Sequence, residues 1–153
     1  LIYLFLEVKL FKKIKTIYIA SDHAGFVLKE LIINDYLSKK DINFVDLGTK
    51  YENSVDYPKF AKKLCKKITP KSMGILICGS GIGVSISANR HKHIRASLCH
   101  NVLAAKMTRK HNDSNVICFQ GRPFVKKNIF AMLNAYFETE FEEGRHLRRI
   151  KQL

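Results

Sequence analysis

The sequence contains no Cys-x-x-Cys pair and no Cys/His ligand spacing, although it has four cysteines, at 65, 78, 99 and 118. That absence removes a disulfide framework and a structural zinc site, and it favours a reducing cytoplasm. Acid is scarce: 13 Asp and Glu stand against 27 Lys and Arg, a net charge of +14. Such a balance suits nucleic acid, an anionic surface or an anionic metabolite. The chain lacks an RNP-type aromatic motif, zinc-finger spacing and a long basic arm, so the expectation is no nucleic-acid partner. Its lysines fall in short pairs (Lys12-Lys13, Lys39-Lys40, Lys62-Lys63, Lys66-Lys67, Lys126-Lys127), as on solvated helices and loops. Long apolar runs are missing too. The opening Leu1-Ile-Tyr-Leu-Phe-Leu6 stops at Glu7, too short to span a bilayer, and the lysines after it lie on the wrong side for a signal peptide. No membrane partner is expected. No repeat, low-complexity tract or linker divides the 153 residues. One domain is expected over 16–153, with residues 1–15 an extension of unassigned role.

What is present alternates. Five short apolar or β-rich runs, 16–20, 43–47, 74–78, 95–99 and 115–119, are separated by helical patterns. Leu28, Leu31, Ile32 and Tyr36 give one apolar helical face, and Phe60, Ala61, Leu64 and Ile68 another. After Asn101, Leu103 and Met107 are spaced for a buried stripe, which turns Lys106, Arg109 and Lys110 outward. Val125, Ile129, Met132, Leu133, Tyr136 and Phe137 form the clearest stripe. Alternation with short connections predicts a doubly wound, three-layer (Rossmann-like) α/β fold: a five-stranded parallel sheet with helices on both faces. Right-handed crossovers then collect the strand carboxyl ends at one edge, where ligands bind. Asp22-His23, Cys78 and His100 all fall at such ends.

The third run feeds Cys78-Gly79-Ser80-Gly81-Ile82-Gly83 and then a small-residue helical segment. Glycines let the backbone approach a ligand, and a helix start offers unoccupied N–H groups to an anion. The same field lowers a thiol's pKa, making Cys78 a candidate base or nucleophile. The loop is no dinucleotide fingerprint, because the third glycine position is Val84 and no acidic residue lies about twenty residues on. It is no Walker loop either, lacking Gly-Lys-Ser/Thr. A tight structural turn is the competing reading. Ser21 or Asp22 is expected to cap the first helix, worth about 1 kcal/mol, while His23 and Asp22 suit a sugar hydroxyl or phosphate. His111 is placed either for charge–dipole pairing at a helix end or as a proton donor. Arg145 and Arg149, four residues apart, share a helix face that could clamp a phosphate or simply be solvated.

Taken in order, Ser21-Asp-His-Ala-Gly25, Asp56-Tyr-Pro58, Ile77-Cys-Gly-Ser-Gly-Ile-Gly83, Arg109-Lys-His-Asn-Asp-Ser-Asn115 and Glu143-Gly-Arg-His146 resemble the type B ribose-5-phosphate isomerases, a family shared with galactose-6-phosphate isomerase subunits. The resemblance runs from about Thr16 to Ile150. It implies an aldose–ketose isomerase of the pentose phosphate pathway, working through a cis-enediolate without metal or cofactor. By the same resemblance Cys78 is the base, and the loop Gly79, Ser80, Gly81, Ile82 and Gly83 holds the enediolate oxygen. His111, with Asp22, opens the furanose ring. His23, Arg145 and Arg149 hold the phosphate, with Arg122 and His146 as lesser candidates, while Tyr57 and Asn112 line the sugar site. The family's sites form between two subunits of a homodimer or tetramer, so His111 and Asn112 are expected to serve the partner's Cys78. Ser80 stands where threonine is commoner, which keeps the hydroxyl, and residues 1–15 have no counterpart. The alternatives are a six-carbon phosphosugar isomerase, for allose 6-phosphate or galactose 6-phosphate, and a non-catalytic phosphosugar-binding module.

Overall fold

A computed structural model describes residues 13–153. Twelve of the fifteen residues expected as an extension therefore lie outside the described part. Among the described residues five strands form: β1 (Thr16–Ser21), β2 (Asn43–Asp46), β3 (Ser72–Cys78), β4 (Ala96–Leu98) and β5 (Val116–Gln120). All pair in parallel, in the order β2-β1-β3-β5-β4. Between and after them run α1 (Phe26–Asp35), α2 (Tyr57–Cys65), α3 (Ile82–Ala88), α4 (Val102–Asn112), α5 (Lys126–Glu138) and α6 (Arg145–Ile150). The expected strands all form. β4 is shorter than its apolar run because the Asn115 side chain takes the Arg95 N–H at 2.8 Å in place of a ladder bond.

The period of two along each strand sorts the core into two layers. Ile17, Ile19, Ile75, Ile77, Ile117 and Phe119 face α1, α4 and α5. Ala20, Leu76, Cys78, Val116 and Cys118 face α2 and α3 through Ala61, Leu64, Val84 and Ala88. Helices thus cover both faces, as expected. Every residue of β3 is buried, which is why its sequence is apolar after Ser72; each buried Ile or Leu there contributes about 1.5–3 kcal/mol. This arithmetic also aims Cys78. As an even-numbered residue of β3 it points to the α2–α3 face, beneath the glycine loop that follows it.

Three helix expectations need correction. On α4 the packed face is Ala105, Thr108 and Arg109, while Leu103 is 66% exposed. Arg109 turns inward because its Nη1 donates to Asp113 Oδ1 at 2.9 Å and to the Ser114 carbonyl at 2.5 Å, and its guanidinium lies 5.7 Å from the Tyr136 ring centre. Val125 does not join the α5 stripe; it is the extended N-cap residue and is exposed, whereas Ile129, Met132, Leu133, Tyr136 and Phe137 are buried as expected. The helix expected up to Ile68 ends at Cys65, with Ile68 buried in the turn beyond.

Candidate active site

The strand order reverses between β1 and β3, so their carboxyl ends flank the topological switch point. Ser21 is in register with Ile77, and the Asp22 N–H donates to the Ile77 carbonyl at 3.1 Å. Asp22 therefore sits beside Cys78. The Cys78 thiol is almost fully covered and accepts the Gly81 N–H at 3.2 Å. Gly81 holds φ +77, and a Cβ there would stand 2.8 Å from the Phe119 carbonyl carbon and 2.5 Å from a Leu98 methyl. Only glycine fits that backbone. The Ile82 N–H is taken by Ser80 Oγ at 3.2 Å. Two of the loop donors expected to be vacant are therefore already engaged, one of them on the sulfur itself.

Asp22 does not cap α1, whose N-cap is Gly25. Its buried Oδ1 instead accepts the Gly25 N–H at 3.0 Å, closing the turn that carries His23. His23 Nδ1 accepts the Val55 N–H at 3.2 Å. A neutral ring bound in that way carries its proton on Nε2, which becomes a donor. Tyr57 lies with its ring against Gly83, where a Cβ would be 2.7 Å from Tyr57 Cζ. Asp22, His23, Asp56, Tyr57, Lys59 and Lys62 line a cavity of about 630 Å³. Arg122 is exposed at the same edge, its N–H on the Gly79 carbonyl at 3.2 Å. His100 lies apart from this group, lining a separate cavity of about 210 Å³. The insertion of β5 between β3 and β4 puts it two strand spacings away, about 10 Å.

The remaining predicted residues sit elsewhere. The helix α4 leaves the carboxyl end of β4 and returns to the amino end of β5, so its last turn, with His111 and Asn112, lies at the opposite edge of the sheet. β3 spans seven residues, about 20 Å at roughly 3.3 Å each. His111 is half-buried and stacks on His146, ring centres 4.2 Å apart and planes 15° from parallel. His146, in the first turn of α6, is 5% exposed. Burial first, then His111 and Arg145, push its ring below the ordinary 6.5. Glu142 joins the pair; its N–H donates to the Lys110 carbonyl at 3.0 Å, and the Lys110 ammonium, 3.3 Å from Oε2, holds its carboxyl below the usual range. Arg145 and Arg149 are exposed on α6. A groove of about 790 Å³, lined by Arg95, Arg109, Asp113 and Glu140 among others, opens at this edge and touches no predicted site residue.

A model of the Ribose/Galactose Isomerase family matches residues 17–153. The chain belongs to that family. Escherichia coli ribose-5-phosphate isomerase B is 34% identical over 141 residues, 91% of this chain and 94% of that protein. A ribose 5-phosphate isomerase from Thermotoga maritima has a TM-score of 0.87 at 44% identity, over 90% of this chain and 96% of that one. The Mycoplasma genitalium ribose-5-phosphate isomerase B, solved with bound ribulose-5-phosphate, has a TM-score of 0.85 at 38% identity, over 90% of this chain and 92% of that one.

Within this isomerase the tertiary structure adds Val55 to the site and places Glu142 beside the histidine pair at the other edge, two residues that sequence reasoning did not single out. Val55 acts through its main-chain N–H on His23, which no side-chain pattern signals. Glu142 belongs to the acidic run 138–143 beside Gly144-Arg145-His146, and that adjacency was the available signal.

Proposed function

We propose that this isomerase interconverts D-ribose 5-phosphate and D-ribulose 5-phosphate through a cis-enediolate. The observation that carries the reading is the Cys78 thiol held at the switch point, one strand from Asp22 and under the Gly81 N–H. Ring opening needs a proton delivered to the ring oxygen as the anomeric hydroxyl loses its own; His111 supplies the first, and the Asp22 carboxylate takes the second. Sγ of Cys78 then takes the C2 proton, and the electron pair shifts to O1. The negative oxygen is stabilised by the Ser80 hydroxyl and by those N–H groups of the Gly79–Gly83 loop other than Gly81 and Ile82, which are engaged, the kind of electrostatic help that dominates such sites. The C2 hydroxyl passes its proton to O1 and Sγ returns the abstracted one to C1, leaving the C2 ketone and a C1 hydroxyl. His23 Nε2 with Arg145 and Arg149 holds the phosphate, Arg122 adding to that charge and His146 offering a hydrogen bond, while Tyr57 and Asn112 line the sugar. Phosphate binding supplies remote energy for positioning.

Cys78 and His111 stand at opposite edges of one sheet, so a complete site needs two chains. A homodimer with shared sites meets that need. Ile82 and Ile86, four apart on α3 and each more than half exposed, supply an apolar face next to the glycine loop for the second copy. Four free cysteines fit a cytoplasmic location, and no helix among the described residues is long and apolar enough to cross a membrane.

The test is turnover of ribose 5-phosphate by purified protein, compared with allose 6-phosphate and galactose 6-phosphate. The expected result is a higher kcat/KM for the pentose and loss of turnover in Cys78→Ala. Near-normal turnover by that variant would remove the base from the mechanism, and binding without turnover of any sugar would make the chain a phosphosugar-binding module.

A further inference from the structure

We propose that His111, Glu142 and His146 form a binding site for one divalent transition-metal ion, Zn²⁺ being the type, and that the bound ion inhibits the isomerase. The inhibition rests on the reading of His111 as the ring-opening acid; the binding site does not.

The three side chains converge from the end of α4, the segment before α6 and the first turn of α6, and one ligand atom from each lies within 4.8 Å of the others. A second observation is independent of that spacing. His146 is 95% covered, and its Nε2 is buried with no hydrogen-bond partner among the described residues. A buried polar atom left without a partner is costly, and a metal ion bound there relieves that cost. Two imidazoles and one carboxylate, with further positions open to water or a sugar oxygen, are a donor set that Zn²⁺, Co²⁺ and Ni²⁺ accept.

The surroundings choose the kind of ion. Lys110 already faces Glu142, and Arg145 and Arg149 stand on the same short helix as His146. This positive field repels hard cations such as Mg²⁺ and Ca²⁺, which rely on oxygen ligands and charge. An imidazole-seeking ion gains its affinity from the nitrogen lone pairs instead. Coordination also asks for movement. Ligand atoms about 2.0–2.1 Å from a tetrahedral ion stand about 3.3 Å apart, so they must close from 4.8 Å or less, and the two rings must splay from their 15° stack. Both changes are side-chain rotations, and Glu142, 46% exposed, is free to make its share. Once bound, the ion occupies the lone pair through which His111 would carry the ring-opening proton.

The experiment uses the full chain, stripped with EDTA and titrated with Co²⁺ while the visible absorption is read, alongside Glu142→Gln and Cys78→Ser. The expected result is one Co²⁺ per wild-type chain without a thiolate charge-transfer band, unchanged in Cys78→Ser and at least ten-fold weaker in Glu142→Gln. Zn²⁺ should inhibit turnover at the same stoichiometry, reversibly with EDTA, and Glu142→Gln should keep its metal-free activity while needing at least ten-fold more Zn²⁺. No Co²⁺ uptake, uptake indifferent to Glu142→Gln, or a thiolate band lost in Cys78→Ser would each overturn the site. Uptake with the expected ligands but undiminished turnover would leave the site standing and overturn the inhibition, and with it the role of His111.

Discussion

Cys78 and Cys118 lie on neighbouring strands of one core layer, yet only one of them is placed for chemistry. Burial holds Cys118 well above the ordinary thiol value, and it pushes Cys65 and Cys99 up to about 11, so these three are protonated at neutral pH. Cys78 differs by being the last residue of β3, where the chain leaves the core and the Gly81 N–H reaches the sulfur. Two outcomes follow at this scale. Iodoacetamide at pH 8 should label Cys78 ahead of the other three, and ribose 5-phosphate should slow that labelling; peptide mapping by mass spectrometry checks it. Cys78→Ala should lower kcat by about 10²–10⁴-fold, the usual worth of a positioned base, with a much smaller change in KM, because the phosphate contacts remain. Steady-state kinetics with both substrates reads the split.

Part-buried ion pairs tie the elements together alongside the apolar faces. Lys29 on α1 is fully buried and paired at 2.6 Å to both Glu30 and Asp46, tying the helix to the end of β2. Arg109 performs the same service for the turn that follows His111. Arg109→Met should strip the Ser114 carbonyl of its guanidinium donor, leaving it the Tyr136 hydroxyl at 2.7 Å, and cost about 1–3 kcal/mol in urea unfolding; Arg95, 3.2 Å from Asp113, keeps that carboxylate paired. The loss of kcat should exceed the loss of substrate affinity, since His111 is displaced. A surface tie behaves differently. Asp35 at the end of α1 is bonded to Lys126 at the start of α5, and that bond holds its carboxyl below the ordinary 3.8. A lowered carboxyl contributes stability above its unfolded value that is lost as pH falls through its folded one. Asp35→Asn should therefore lower Tm slightly at pH 7, the difference closing as pH falls from the ordinary 3.8 through the lowered folded value; both side chains are well solvated, so the effect is small. Thermal melts across pH decide it.

For the molecule as a whole, Cys78 and His111 stand at opposite sheet edges, so the proposed roles require a second chain to complete each site. Mixing two inactive variants, Cys78→Ala and His111→Gln, and allowing subunits to exchange should restore about a quarter of wild-type activity: half the dimers are mixed, and each has one intact site of two. No recovery, with exchange confirmed by native mass spectrometry, would place both residues in one chain's site.

How legible this was in the sequence varies with the kind of information. Strand and helix positions were readable because burial has a period, two in strands and 3.6 in helices, and β3 and α5 carry it cleanly. The α4 face was misread because Arg109 is a cation whose partners, the Ser114 carbonyl and the Tyr136 ring, are decided by packing. The motif residues were readable one at a time, and the ordered set pointed to the family. By itself the sequence determined the parallel α/β architecture and the Cys78 loop at a strand end, since each follows from local periodicity and residue type. Only the tertiary structure decided which residues share an edge: it joined Asp22, His23, Tyr57 and Cys78 and sent His111, Glu142 and His146 to the other side. Such proximity depends on strand order and crossover direction, which no local pattern encodes.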